Sequence, residues 1–354
     1  MPATAESWSV LAALPLTIES YAFERQSATL ADDFMRVTTL VRLGGDGAEG
    51  LGEDVSPFQD ESNTLHELGP ALPLTGEWTL GSFCDQLAGI DQWPVPAEWD
   101  MARRWRNWAF ESAALDLALN QAGQPLHELL GRECRPLRFV NSLGLGDPPS
   151  FDPIRGRLEA HPGLRFKLDA HARWSDEVIA QLVATEAVEI IDFKGRYGMA
   201  VEDQDALVAM YDRVIAAFPD ALLEDAHELP EVAERMGREA GRISYDAPIA
   251  TAADLDAVPF PPRAVNIKPC RVGNLRALLE LYGAVEERGL IVYGGGMGEL
   301  GVGRGQIQLL ASLFHPDGPN DTAPSGYNAD ATAAELPDSP LAPAPAATGF
   351  RRVP

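Results

Sequence analysis

The 354-residue chain is 45% hydrophobic, enough to fill a sizeable core in two domains or in one barrel with an appended domain. Its formal net charge of -25 argues against sequence-independent nucleic-acid binding, which needs a basic face, and it equally disfavours an anionic membrane surface. Cys84, Cys134 and Cys270 form neither a metal-ligand pattern nor a disulfide framework, which fits a reducing compartment.

The first apolar stretch, WSVLAALPLTI, has no preceding Lys or Arg and is broken by Pro15, so it reads as neither signal peptide nor membrane span, and a cytoplasmic address is expected. Residues 34 to 43, FMRVTTLVRL, read as a strand ending in a hairpin signal at Gly44-Gly45, with GAEGLGED as the return strand. Residues 103 to 120 place Trp105, Trp108, Ala109, Ser112, Leu115 and Leu119 at helical spacing, with Gly123 and Pro125 as stop signals. The two tryptophans read as core. From about residue 137, seven strand-like segments alternate with amphipathic helices: 138 to 146, 164 to 170, 188 to 195, 221 to 228, 242 to 249, 264 to 273 and 289 to 296. Seven such units in one run indicate a parallel barrel rather than an open sheet. The division expected is an α+β cap over residues 1–133, a barrel over 134–328 and an Ala/Pro-rich tail, read as mobile, over 329–354.

In a βα barrel, chemistry gathers at the C-terminal ends of the strands. There the second segment supplies Lys167 and Asp169, the third Asp192 and Lys194, the fourth Glu224, the fifth Asp246 and the sixth Lys268. These are all three lysines of the chain; its other 25 basic residues are arginines. Residues two apart on a strand share a face, so Lys167 pairs with Asp169 in direction, and Asp192 with Lys194. Asp192, Glu224 and Asp246 stand on three successive strands. Three converging carboxylates repel one another unless a cation is present, and hard oxygen donors favour Mg²⁺. Pairing with arginines is the alternative use for these acids. Asp225 is expected to face away from the interior, and His171 and His227 read as loop residues.

Several motifs resemble the muconate-lactonizing branch of the enolase superfamily: ESAALDLALNQAGQPLHELLGRE, the G-x-G-E of GAEGLGED, VNIKPCRVGNL, and YGGGMGELGVGRGQIQLLASL followed by PNDTAPSGY. The last is similar to the C-terminal barrel motif of o-succinylbenzoate synthases and N-acylamino acid racemases. The resemblance implies an α/β fold, a (β/α)7β TIM-like barrel under an N-terminal α+β capping domain. It implies a lyase or isomerase that removes a proton α to a substrate carboxylate and holds the enediolate with Mg²⁺. Carried over by position, Asp192, Glu224 and Asp246 become metal ligands and Lys268 an active-site lysine. The chain departs from the pattern at three places. Asp169 stands where the second strand-two lysine belongs, Lys194 where strand three has asparagine, and Ala247 where a glutamate follows the strand-five aspartate. These departures point to an amine relocated to Lys194, oriented by Asp169 and supported by Lys167; a structural Asp169–Lys194 ion pair is the other reading. A second function class is a metal-free binding barrel, with the Lys194 ammonium neutralising the three acids. The partners expected are a small-molecule carboxylate and further copies of the chain.

Overall fold

The computed structural model describes residues 5–29, 35–93, 95–198, 201, 203–329 and 335–353. Helix α1 (Ala5–Ala12) and strand β1 (Pro15–Ile18) lead into an antiparallel sheet of β2 (Ser20–Thr29), β3 (Met35–Gly45) and β4 (Ala48–Asp54). The hairpin turn is Asp46-Gly47, not Gly44-Gly45: both turn residues have positive φ, 50° and 70°, and Gly45 pairs with Ala48. Next come α2 (Gln59–Leu68), β5 (Gly76–Thr79), which pairs back onto β1, α3 (Leu80–Ala88), the long α4 (Ala102–Ala122) and the short α5 (Leu126–Leu129). A Thr79–Ser82 capping box starts α3, and Gly123 ends α4 in the left-handed conformation at φ 65°. Trp105 and Trp108 are buried on α4, as their spacing predicted.

The G-x-G of β4 has a packing cause. A Cβ on Gly50 would lie 2.2 Å from the Ala113 carbonyl oxygen, and one on Gly52 would lie 2.0 Å from that of Ala109. The strand backbone therefore rests directly on the α4 backbone, a contact only glycine allows. The Leu51 N–H then donates to Asp116 on α4 at 2.8 Å, and Asp54 pairs with Arg106 at 2.9 Å in full burial.

The barrel follows in sequence order: β6 (Asn141–Leu143), α6 (Asp152–Ala160), β7 (Phe166–Asp169), α7 (Asp176–Thr185), β8 (Val188–Asp192), α8 (Gln204–Ala217), β9 (Leu222–Glu224), α9 (Pro230–Met236), β10 (Ile243–Tyr245), α10 (Asp254–Ala257), β11 (Ala264–Ile267), α11 (Pro269–Val272), α12 (Leu275–Glu287), β12 (Ile291–Gly294) and α13 (Val302–Phe314). Strands β6 to β12 pair parallel, each with its neighbour in sequence. Residues 320 and 321 close the ring, because Asn320 bridges Phe139 beside β6 and Asp321 bridges Gly295 beyond β12. This two-residue eighth strand completes the (β/α)7β barrel. Side-chain caps from Ser175, Asp203 and Asn274 start α7, α8 and α12. Ile190, Ala264 and Tyr293 fill the barrel interior below its mouth.

The described part of the C-terminal segment packs against the body instead of trailing from it. Leu341 bridges Leu137, Phe350 is buried edge-on against Trp108, and Arg351 bonds Asp116 at 2.6 Å. The few apolar residues in an Ala/Pro-rich segment were enough to anchor it. Among the described residues no helix is long and apolar enough to cross a membrane.

Candidate active site

Strand register sets the acids side by side. Asp169 is level with Asp192, Asp192 with Glu224, and Glu224 with Ser244, two residues before Asp246. Asp192, Glu224 and Asp246 are fully buried, and one oxygen from each lies within 4.8 Å of the others. An all-carboxylate set at that separation fits a hard divalent cation.

The cations around them arrive from two sides. Lys167, fully buried, donates to Glu224 Oε1 and lies 3.1 Å from Asp192 Oδ2 and 3.7 Å from Asp321 Oδ2. Lys194 Nζ is 2.5 Å from Asp192 Oδ2 and 3.2 Å from Asp169 Oδ1. From the other side, Lys268 Nζ donates to Asp246 Oδ2 at 2.8 Å, and the buried Arg271 guanidinium bonds Asp246 Oδ1. The position between the acids that the sequence offered to Lys194 belongs to Lys167. Lys194 reaches only Asp192 of the three, because its stem starts two residues beyond the strand end.

Burial opposes ionisation of Asp192, but Lys167 and Lys194 outweigh it and hold the carboxyl well below the usual range. Asp246 is likewise held down, by Arg271 and Lys268 against burial. Glu224 moves the other way: burial and repulsion from Asp192 and Asp246 raise it despite Lys167. The two depressed groups and the raised one belong to a single coupled cluster, so a proton or cation at one changes the rest.

Backbone geometry does much of the positioning. Lys194 sits at φ 52°, a left-handed conformation rarely adopted by lysine, which turns its chain back so that both its N–H (2.9 Å) and its ammonium meet Asp192. Asp225, at φ 49°, faces away from the acids as expected. Its carboxylate accepts the N–H groups of Asp246 and Ala247 at 2.9 and 2.8 Å and so aims Asp246 inward. Burial and the neighbouring Asp246 push Asp225 up to about 6. Gly195 allows the loops after β8 and β9 to touch, since a Cβ there would lie 2.3 Å from the His227 nitrogen. His227 itself bonds Tyr211 at 2.9 Å, and His171, in the loop beyond β7, accepts the Arg173 N–H at 3.1 Å.

Residue types alone did not reveal four further participants. Tyr293 donates to Glu224 Oε2 and lies 2.6 Å from Ser244 Oγ; Tyr197 donates to Asp246 at 2.9 Å; Arg271 and Asp321 were described above. The C-terminal position of Asp321 on a closing strand was a usable signal, but two residues are too few to read as a strand. From the cap, Glu53 accepts the N–H groups of Leu300, Gly301 and Gly303 at 2.6, 3.0 and 2.9 Å, and so ties the start of α13 and its preceding loop to β4. A cavity of about 830 Å³ opens beside Asp169 and Lys194, lined by Leu145, His171, Trp174, Phe193 and Met210. Another of about 850 Å³ lies at the opposite barrel end, among Arg138, Val188, Leu222 and Ile291, away from every lysine.

Residues 9–129 match the N-terminal domain, and residues 133–329 the C-terminal domain, of a family described as a domain of unknown function (DUF8230). The chain is 29% identical to an o-succinylbenzoate synthase of Geobacillus stearothermophilus, over 88% of this chain and 81% of that one. It is 27% identical to an N-succinylamino acid racemase of Thermus thermophilus, over 78% and 76%. The chain belongs to the DUF8230 family and to the enolase superfamily. Its fold matches a dipeptide epimerase from Methylococcus capsulatus complexed with Mg ion, at TM-score 0.67 and 19% identity over 89% of this chain and 92% of that one. It is an enzyme of this superfamily, an isomerase or lyase in kind.

Proposed function

We propose that this enolase-superfamily enzyme is Mg²⁺-dependent and removes a proton α to the carboxylate of a small-molecule substrate, in the manner of o-succinylbenzoate synthases or N-succinylamino acid racemases. The observation that carries the reading is the buried acid triad, its oxygens within 4.8 Å, flanked by lysines on both sides. Asp192, Glu224 and Asp246 would hold the ion. When bound, it supplies a fixed positive charge to the substrate carboxylate, on which charge builds as the weakly acidic α-proton leaves.

The chain's own groups do the rest. Lys268 follows β11 and Lys194 follows β8, three positions apart around the ring. Their amines therefore approach the substrate carbon from different sides, one to take the proton and the other to return it or assist departure of a leaving group. Asp169, 3.2 Å from Lys194, orients that amine, and Lys167 and Arg271 balance the buried negative charge. The cap-held loop beside Glu53 and the burial of the acids keep bulk water from the reacting carbon, which strengthens each of these interactions.

The ammonium of Lys167 among the acids favours a second reading, a metal-free barrel that binds a ligand without turning it over. Titration calorimetry separates the two. The wild-type protein should bind Mg²⁺, and Glu224→Ala should weaken that binding by about a hundredfold or more, since it removes one of three charged donors. Wild-type protein without Mg²⁺ affinity, or Glu224→Ala with unchanged affinity, would favour the binding barrel.

A further inference from the structure

Two cations cannot share the space between three oxygens that lie within 4.8 Å of one another. Lys167 already has its ammonium there, on Glu224 and 3.1 Å from Asp192. We infer that Lys167 is a two-position ammonium, seated on Glu224 and Asp192 until a divalent cation enters and then moving onto Asp321. The inference rests on the magnesium reading above.

Three features support a shift of Lys167 rather than of another group. Lys268 and Arg271 both bind Asp246, taking different oxygens of it, and neither bonds Asp192 or Glu224 among the described contacts. The Lys194 ammonium also contacts Asp169 Oδ1, 3.2 Å away, so it keeps a carboxylate partner at the rim when a cation takes Asp192. Among the described residues, Lys167 alone bridges two of the three acids. Its second seat is already in reach: Asp321 Oδ2 lies 3.7 Å from Nζ, beyond hydrogen-bond length but within the swing of a lysine stem. Asp321 is fixed for that task. It is part of the closing strand, with its N–H bonded to the Gly294 carbonyl at 2.8 Å and its backbone bridged to Gly295. Burial raises the Asp321 carboxyl, and Lys167 is the foremost of the cations that oppose this, ahead of Lys268 and Arg304.

The arrangement has a consequence for the free enzyme. Removing one partner of a buried charge pair leaves the other uncompensated, at a cost far above that of an exposed pair. A lysine that neutralises the triad from within therefore lets the barrel fold before metal arrives, and the ion must then compete with it. The affinity for Mg²⁺ is set by the difference between two seats for one ammonium.

The test is a double-variant cycle read by titration calorimetry with MgCl₂, with thermal unfolding in EDTA as the second readout. Lys167→Met should bind Mg²⁺ about tenfold tighter or more, because its competitor is gone. Its unfolding midpoint should fall in EDTA and recover with Mg²⁺. Asp321→Asn should weaken Mg²⁺ binding severalfold in the wild-type background, and much less in the Lys167→Met background. Lys167→Arg, which keeps the charge on a bulkier head, serves if the methionine variant does not fold, and should bind Mg²⁺ more weakly than wild type. Wild-type binding with no tightening in Lys167→Met, or with no weakening in Lys167→Arg, would overturn the inference and leave the magnesium reading standing. An Asp321→Asn effect of equal size in both backgrounds would also overturn it, since Asp321 would then act on the ion directly. If neither wild type nor Lys167→Met binds Mg²⁺, the magnesium reading fails and the inference falls with it.

Discussion

Lys194 is the most distinctive departure of the site from the family pattern. The family pattern places two lysines on the second barrel strand, and this chain places an aspartate at one of those positions and a lysine on the strand beside it. Neighbouring strands lie about 5 Å apart, so an amine on a long stem can serve the same point from either. The left-handed backbone at Lys194, φ 52°, and its bonds to Asp192 and Asp169 hold it at the mouth, where it remains partly exposed. Once a substrate has been found among succinylated amino acids and related carboxylates, Lys194→Ala should abolish exchange of its α-proton on one face, followed by NMR in deuterated water. An intact rate on both faces would make the Asp169–Lys194 contact a structural ion pair only. At this scale the acids and Lys268 were legible, because side-chain alternation and strand ends fix their direction. The partners chosen by Lys167, Arg271, Tyr293 and Asp321 were not. Those pairings join residues 25 to 154 positions apart, and depend on barrel closure, which leaves no local pattern.

Among the elements, β4 joins the cap to the chemistry. Gly50 and Gly52 let it lie on α4, and the next residue, Glu53, reaches across to the loop that starts α13. The sequence marked GAEGLGED as a return strand, but not why it carries glycine at alternate positions. Gly52→Ala pushes a methyl group into the Ala109 carbonyl and should destabilise the protein by about 1–3 kcal/mol, the range for overpacking a close contact. Urea unfolding would show a lowered midpoint; an unchanged midpoint would mean that the two backbones can part at little cost. The seven strands β6 to β12 were all found in order, yet each is shorter than its apolar run. The pattern persists into the turns because residues beyond the last ladder bond still face the core or the site, as Asp246 and Lys268 do one residue past β10 and β11.

For the molecule as a whole, charge is the dominant surface property. A net charge of -25 carried mainly outside the buried site repels itself, and added salt screens that repulsion over about 10 Å at 0.1 M. The thermal unfolding midpoint should rise steadily with NaCl concentration; a midpoint indifferent to salt would show that the surface ion pairs already balance the field. Fold class was legible at this scale from the repeated βα alternation. The fate of the C-terminal segment was not, since its anchoring depends on single residues such as Phe350 and Arg351 meeting α4.

The proposed function has this site remove a proton α to a carboxylate with the help of a divalent ion held by Asp192, Glu224 and Asp246. Its most direct test is NMR of α-proton exchange in deuterated water, using N-succinylamino acids as substrates, with and without EDTA. Wild-type enzyme with Mg²⁺ should exchange the α-proton, and both EDTA and Lys268→Ala should reduce the rate by about a hundredfold or more. Exchange that continues unchanged in EDTA, or unchanged in Lys268→Ala, would contradict the account.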